Sequence, residues 1–92
     1  MTVQLTYHAQ VRLAAGLTTE PVELEAGAPL TCLLALLADR YAPAFRQFVV
    51  DDAIRPRPGI IVLVNDHPVV SGADPVLAEG DRISLFSPVA GG

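Results

Sequence analysis

The chain has 92 residues, room for one domain with one modest hydrophobic core. Hydrophobic residues make up 51% of it and charged residues 17%, a balance that a disordered tail or solvated linker would reverse. Six arginines against ten acidic residues leave a net charge of -4, which repels phosphate backbones, argues against nucleic-acid binding and suits a basic cleft on a protein partner. So high an apolar share in so small a domain predicts that some of it stays exposed as a partner surface. Every cation is arginine and lysine is absent, so the chain carries no side-chain amine for linkage to itself. The single cysteine, Cys32, excludes an internal disulfide and fits a reducing cytoplasm. The opening residues, MTVQLTYHAQVR, lack a basic stretch followed by an apolar run, so no signal peptide is expected. The longest apolar stretch, Cys32 to Ala38, is too short to span a bilayer. A soluble cytoplasmic protein with no membrane contact is expected.

Val3, Leu5, Tyr7 and Ala9 alternate with Thr2, Gln4, Thr6 and His8, which predicts a strand with one buried and one wet face. Gly16 permits a turn, after which Val22 and Leu24 point one way and Glu23 and Glu25 the other. These segments predict an N-terminal hairpin with a loose connection. Beyond Ala26-Gly27 the period changes. Leu30, Leu33, Leu34, Leu37 and Tyr41 form a single helical stripe, with Pro29 in the first turn and Pro43 closing the helix. Cys32, Leu36 and Asp39 fall on its opposite side. Residues 42–59 fit neither period and are long for a connection, which predicts a short helix or strand among them. Ile60 to Val64 is a continuous aliphatic run, expected as a strand covered on both faces. Asn65-Asp66-His67-Pro68 is turn chemistry, Val69-Val70 is expected to resume extended structure, and Leu77 to Asp81 makes another reversal. A last strand sets Ile83 and Leu85 against Arg82, Ser84 and Phe86. Residues 87–92 are expected as a flexible tail ending in Gly91-Gly92.

A lone helix covers one face of a sheet, so this order predicts an α+β chain. The expected architecture is a β-grasp (ubiquitin-like) fold, a mixed sheet of about five strands crossed by one main helix, in a single domain over 1–92.

Few side chains are arranged for chemistry. No Cys or His cluster has metal-ligand spacing, and no glycine-rich loop could cradle a phosphate. His8 on a polar strand face, His67 in a turn and the Asp51-Asp52 pair read as solvated, and Cys32 has no basic neighbour to activate it. The terminus differs. Two glycines directly after a strand and a proline can thread a tunnel that any Cβ would block, and they bring a bare carboxylate to another enzyme's nucleotide. Such a carboxylate, once activated as an acyl-adenylate, can accept sulfur.

The segment Tyr7 to Gly16, the run Ile61-Val-Leu-Val-Asn65 and the ending Leu77-x-x-Gly80-Asp81-x-Ile83-x-Leu85-Phe86-Ser87-Pro88-Val89-Ala90-Gly91-Gly92 resemble the MoaD/ThiS family of ubiquitin-like sulfur carriers. The first segment looks like that family's first strand. The ending leans toward MoaD, the small subunit of molybdopterin synthase, although this chain has Ser87-Pro88 where that family commonly has two prolines.

The resemblance implies the following expectations. An adenylating enzyme of the ubiquitin-activating kind, using ATP and magnesium, activates Gly92. A cysteine desulfurase or sulfurtransferase supplies the sulfur that makes the thiocarboxylate. Pro88, Val89, Ala90 and Gly91 thread the partner's site, and a MoaE-like large subunit of molybdopterin synthase holds the catalytic side chains, so this chain is no enzyme alone and keeps no resident cofactor or metal. Phe86 is expected on the sheet face that the helix leaves open, as an anchor for the partner. Arg12 is expected to assist electrostatically, with a solvated arginine an equal reading. Carriers for cysteine, thiamin, tRNA thiolation or a natural product remain open. So do a ubiquitin-like modifier ligated through Gly92 and a plain interaction module.

Overall fold

Val3, Leu5 and Tyr7 are fully buried along β1 (Thr2–His8), and the residues between them face away from the core. The computed structural model describes residues 1–87. In it β1 pairs antiparallel with β2 (Thr19–Glu23) and parallel with β5 (Arg82–Phe86). β5 pairs antiparallel on its other side with β3 (Ile61–Val64), and the two-residue β4 (His67–Pro68) closes that edge. The strand order is β2-β1-β5-β3-β4. This mixed five-stranded sheet, crossed by one main helix, is the β-grasp arrangement expected from the element order.

The main helix, α2 (Leu30–Arg40), buries Leu30, Leu33, Leu34, Leu37 and Ala38, while Cys32 and Asp39 stay exposed and Leu36 is half-buried. The stripe meets the side chains of Val3, Leu5, Tyr7, Val22, Val62, Ile83 and Leu85 in one core. Pro29 stands at the N-cap position, one residue before the expected first turn, and no side chain of its own caps the helix. Asp74 does that from a distance. Its carboxylate accepts the Thr31 N–H at 2.9 Å and the Thr31 hydroxyl at 2.8 Å, placing negative charge at the positive end of the helix.

The structure corrects the sequence reading at several points. The connection of the N-terminal hairpin is a helix, α1 (Ala9–Ala15). Ala9 is therefore exposed, and its φ of 52° turns the chain sharply out of β1. Gly16 ends α1 in the left-handed region (φ 82°), donating its N–H to the Arg12 carbonyl at 2.8 Å. The segment expected to hold a short element contains α3 (Ala44–Phe48), which buries Phe45. β3 is not covered on both faces: only Val62 is buried, and its neighbours are half-buried. The turn after it is just Asn65-Asp66, both with positive φ, so His67 and Pro68 are already strand and Val69-Val70 lie beyond it. A two-residue turn of this hand matches the twist of a hairpin, and Asn and Asp are the side chains that tolerate it.

Candidate functional site

The strand that leads to the terminus lies inside the sheet. β5 alternates strictly, with Ile83 and Leu85 buried under the helix and Arg82, Ser84 and Phe86 on the other face. The register sets Phe86 beside His8 of β1 and Ile61 of β3. The rings of His8 and Phe86 meet edge to face with centroids 5.6 Å apart. One row further in, Ser84 sits between Thr6 and Leu63. Phe86, Ile61 and Leu63 are each half-buried, so the open face carries an apolar patch where β5 ends. Ser87, also half-buried, follows directly. Pro88, Val89, Ala90, Gly91 and Gly92, the expected threading segment and reactive end, lie outside the described residues.

Arg12 sits on the exposed side of α1. Among the described residues, no ion pair or hydrogen bond engages its guanidinium, and none joins it to Phe86. The structure puts the two on different elements. Sequence reasoning missed Leu13 and Phe48, which stand 71% and 63% exposed on α1 and α3. Helical periodicity would have shown Leu13 off the buried stripe of Val11 and Ala15, had the strand rhythm of β1 not run on into Ala9.

The strongest electrostatic feature is away from the terminus. The hydroxyls of Tyr7 and Tyr41 both donate to one oxygen of Glu20, the former at 2.6 Å, and Arg40 donates to the other at 2.9 Å. Burial opposes the charge on Glu20, but the hydrogen bonds from Tyr41 and Tyr7 and the Arg40 charge outweigh it and hold the carboxyl below its ordinary value. Burial raises the Tyr7 hydroxyl, and its bond to Glu20 raises it further; Tyr41 is raised in the same way. This cluster ties β1, β2 and the end of α2 together, and its partners are all satisfied. It is scaffolding.

Asp51 accepts the N–H groups of Ala53 and Arg55 at 2.9 and 3.0 Å, a local turn. Among the described residues, no group of three or more His, Cys, Asp or Glu could hold a metal, and no helix is long and apolar enough to cross a membrane. What the described residues offer is an apolar patch on the open sheet face, at the end of the strand that precedes the terminal segment.

The model of the ThiS family matches residues 5–92. SAMP1 from Haloferax volcanii is 28% identical with a TM-score of 0.83, each chain covered in full. Urm1 from Trypanosoma brucei is 30% identical with a TM-score of 0.80, over 99% of this chain and 95% of that one. A putative molybdopterin converting factor, subunit 1, from Pyrococcus furiosus is 27% identical with a TM-score of 0.75, over 97% and 99%. No curated protein sequence matches the chain. Identity does not separate the molybdopterin relative from the other two.

Proposed function

The chain belongs to the ThiS family of ubiquitin-like sulfur carriers, and from that membership we propose that Gly92 carries the reacting group. In this reading the Gly92 carboxylate attacks the α-phosphorus of ATP on a ubiquitin-activating-type enzyme, releasing pyrophosphate and leaving an acyl-adenylate. The persulfide of a cysteine desulfurase or sulfurtransferase then attacks the acyl carbon to give an acyl disulfide, and a second thiol cleaves its S–S bond, leaving with the donor's sulfur as a disulfide. The C–S bond forms, the bond to AMP breaks, and the product is a thiocarboxylate. The carrier supplies the reacting atom and the docking surface, and the partners supply catalysis, ATP and magnesium.

One observation carries the reading. Ser87 is still part of the folded body, and Gly92 is the fifth residue beyond it. At about 3.4 Å per residue, that reach is at most roughly 17 Å. The carboxylate therefore enters a partner's site only while the body of the domain rests against that partner, and the partly exposed apolar patch around Phe86 supports a contact there. The absence of a Cβ on Gly91 and Gly92 suits a narrow passage.

For the pathway, the ending Phe86-Ser87-Pro88-Val89-Ala90-Gly91-Gly92 and the likeness to the Pyrococcus subunit support sulfur delivery to the molybdopterin precursor, with a MoaE-like large subunit as acceptor partner. The match to a small archaeal modifier protein favours a second reading, in which the same adenylate is passed to lysines of other proteins. Intact mass spectrometry of protein from its own cells tests the proposal. A fraction with sulfur replacing one terminal oxygen supports the carrier. A ladder of covalent adducts on immunoblots, with no sulfur-bearing species, supports the modifier. Partner binding and sulfur transfer that survive deletion of Gly91 and Gly92 would sink both.

A further inference from the structure

His8 ends β1 and is also the residue from which α1 starts, with extended backbone at φ -125° and ψ 151°. That position favours a short polar side chain that caps the first turn, yet the imidazole makes no cap bond. Among the described residues, no other hydrogen bond and no ion pair engages it. The side chain is exposed, as a solvated histidine on a wet strand face would be. Its ring is nevertheless engaged. It meets Phe86 with centroids 5.6 Å apart and planes at 80°, the edge-to-face arrangement that two aromatic rings prefer.

The contact bears on how Phe86 is held. Neighbouring strands lie about 4.8 Å apart, so a ring standing on β5 is flanked by side chains of β1 and β3. On β3 the neighbour is Ile61, and on β1 it is His8. One row inward stands only Ser84, too small to brace a ring. No further residue of β1 follows His8 on this face, because Ala9, at φ 52°, turns the chain into α1. Removing the imidazole would therefore leave one flank of Phe86 bare and free the ring to sample other staggered positions. An anchor that must be ordered during binding weakens a complex, and one ordered beforehand does not.

We propose that His8 is a positioning residue for docking to the enzyme that activates Gly92. Its ring keeps Phe86 in the orientation that the partner receives, and it does so by aromatic contact, not through its nitrogens. The inference rests on the carrier reading above, with Phe86 as the anchor. Two consequences follow from the geometry. Another planar ring at position 8 should serve as well as imidazole. A chain without Phe86 should be indifferent to the loss of His8.

The test is ATP–pyrophosphate exchange by the ubiquitin-activating-type enzyme of the same cells, with this protein as the varied substrate. His8→Ala should raise KM about three- to tenfold while kcat stays within about twofold, the pattern of weakened docking. His8→Phe should return KM to within about twofold of the parent. Phe86→Ala should raise KM by itself, and adding His8→Ala to it should change KM by less than about twofold, because the two side chains act as one unit. The urea midpoint of His8→Ala should stay near the parent's, since the side chain is exposed and caps nothing. An unchanged KM for His8→Ala beside a raised KM for Phe86→Ala overturns the inference and leaves the carrier reading standing. So does a His8→Phe variant as poor as His8→Ala, which would assign the effect to the imidazole nitrogens. So does a His8→Ala effect that persists in full without Phe86, which would make His8 an independent contact. An unchanged KM for Phe86→Ala removes the anchor and the inference with it. A parent chain that supports no exchange overturns the carrier reading itself.

Discussion

The side-chain amide of Asn65 donates to the Asp81 carboxylate at 2.9 Å, clamping the turn between β3 and β4 to the residue that enters β5. The same Asn65 accepts the Arg82 N–H through its side-chain oxygen at 2.9 Å, and the other Asp81 oxygen accepts the Ala78 N–H at 2.8 Å. These residues therefore set where β5 starts, and with it the register that places Phe86 and Ser87.

Asn65→Ala removes two hydrogen bonds and leaves alanine with a φ near 50°. The expected loss is about 2–3 kcal/mol, a fall of roughly 10–20 °C in Tm for a domain of this size. Asn65→Gly, free of the backbone penalty, should lose less. Calorimetry on both variants separates the clamp from the backbone, and equal losses would refute the division.

Stability should depend on pH at both ends through the Glu20 cluster. The Glu20 carboxyl lies below its ordinary 4.5, so the stability it contributes is present above that pH and disappears as pH falls through the folded-state value. Tyr7 and Tyr41 are raised above their ordinary 10.0, so their contribution is present below pH 10 and declines above it, as the unfolded chain ionises and the folded one holds its protons. Glu20→Gln should cost about 2 kcal/mol at neutral pH and flatten the acid limb. Tyr41→Phe should make the alkaline limb shallower. Urea midpoints measured from pH 3 upward check both signs.

Phe86 is half-buried, so Phe86→Ala should lower stability only modestly, by about 1 kcal/mol. As an anchor for the partner it should weaken docking far more, by about 2 kcal/mol or roughly thirtyfold in affinity. Titration calorimetry against the activating enzyme, beside a urea melt, compares the two. A stability loss with unchanged binding would make Phe86 a packing residue only.

The chain contains no lysine, and the Met1 ammonium donates to the Leu24 carbonyl at 2.8 Å. Under the modifier reading, each acceptor lysine should therefore carry one copy and never a chain of copies. Tryptic mass spectrometry of the adducts would show a branch originating within this sequence if that expectation were wrong.

The β-grasp order, the helical stripe from Leu30 to Leu37 and the alternation of β5 were readable because each segment is long enough for its period to show. α1 and α3 were not. Seven residues, Ala9 to Ala15, give a helical rhythm barely two turns, and the strand pattern ran into its first residue. The five of α3 give less still. The site was legible in a different sense. Asn65, Gly80 and Asp81 were part of the family resemblance, and in the structure they are turn and clamp residues. Its most specific part, the ending in Gly91-Gly92, lies outside the described residues, and the exposed Leu13 and Phe48 stayed hidden with the two short helices that carry them.

Because β5 sits in the interior of the sheet, hydrogen-bonded to parallel β1 on one flank and antiparallel β3 on the other, a pull on Ser87 along the strand loads both ladders in shear. No edge is offered from which the sheet could unzip one rung at a time. Under the carrier reading, a partner that held the terminus under tension would load both of these ladders together.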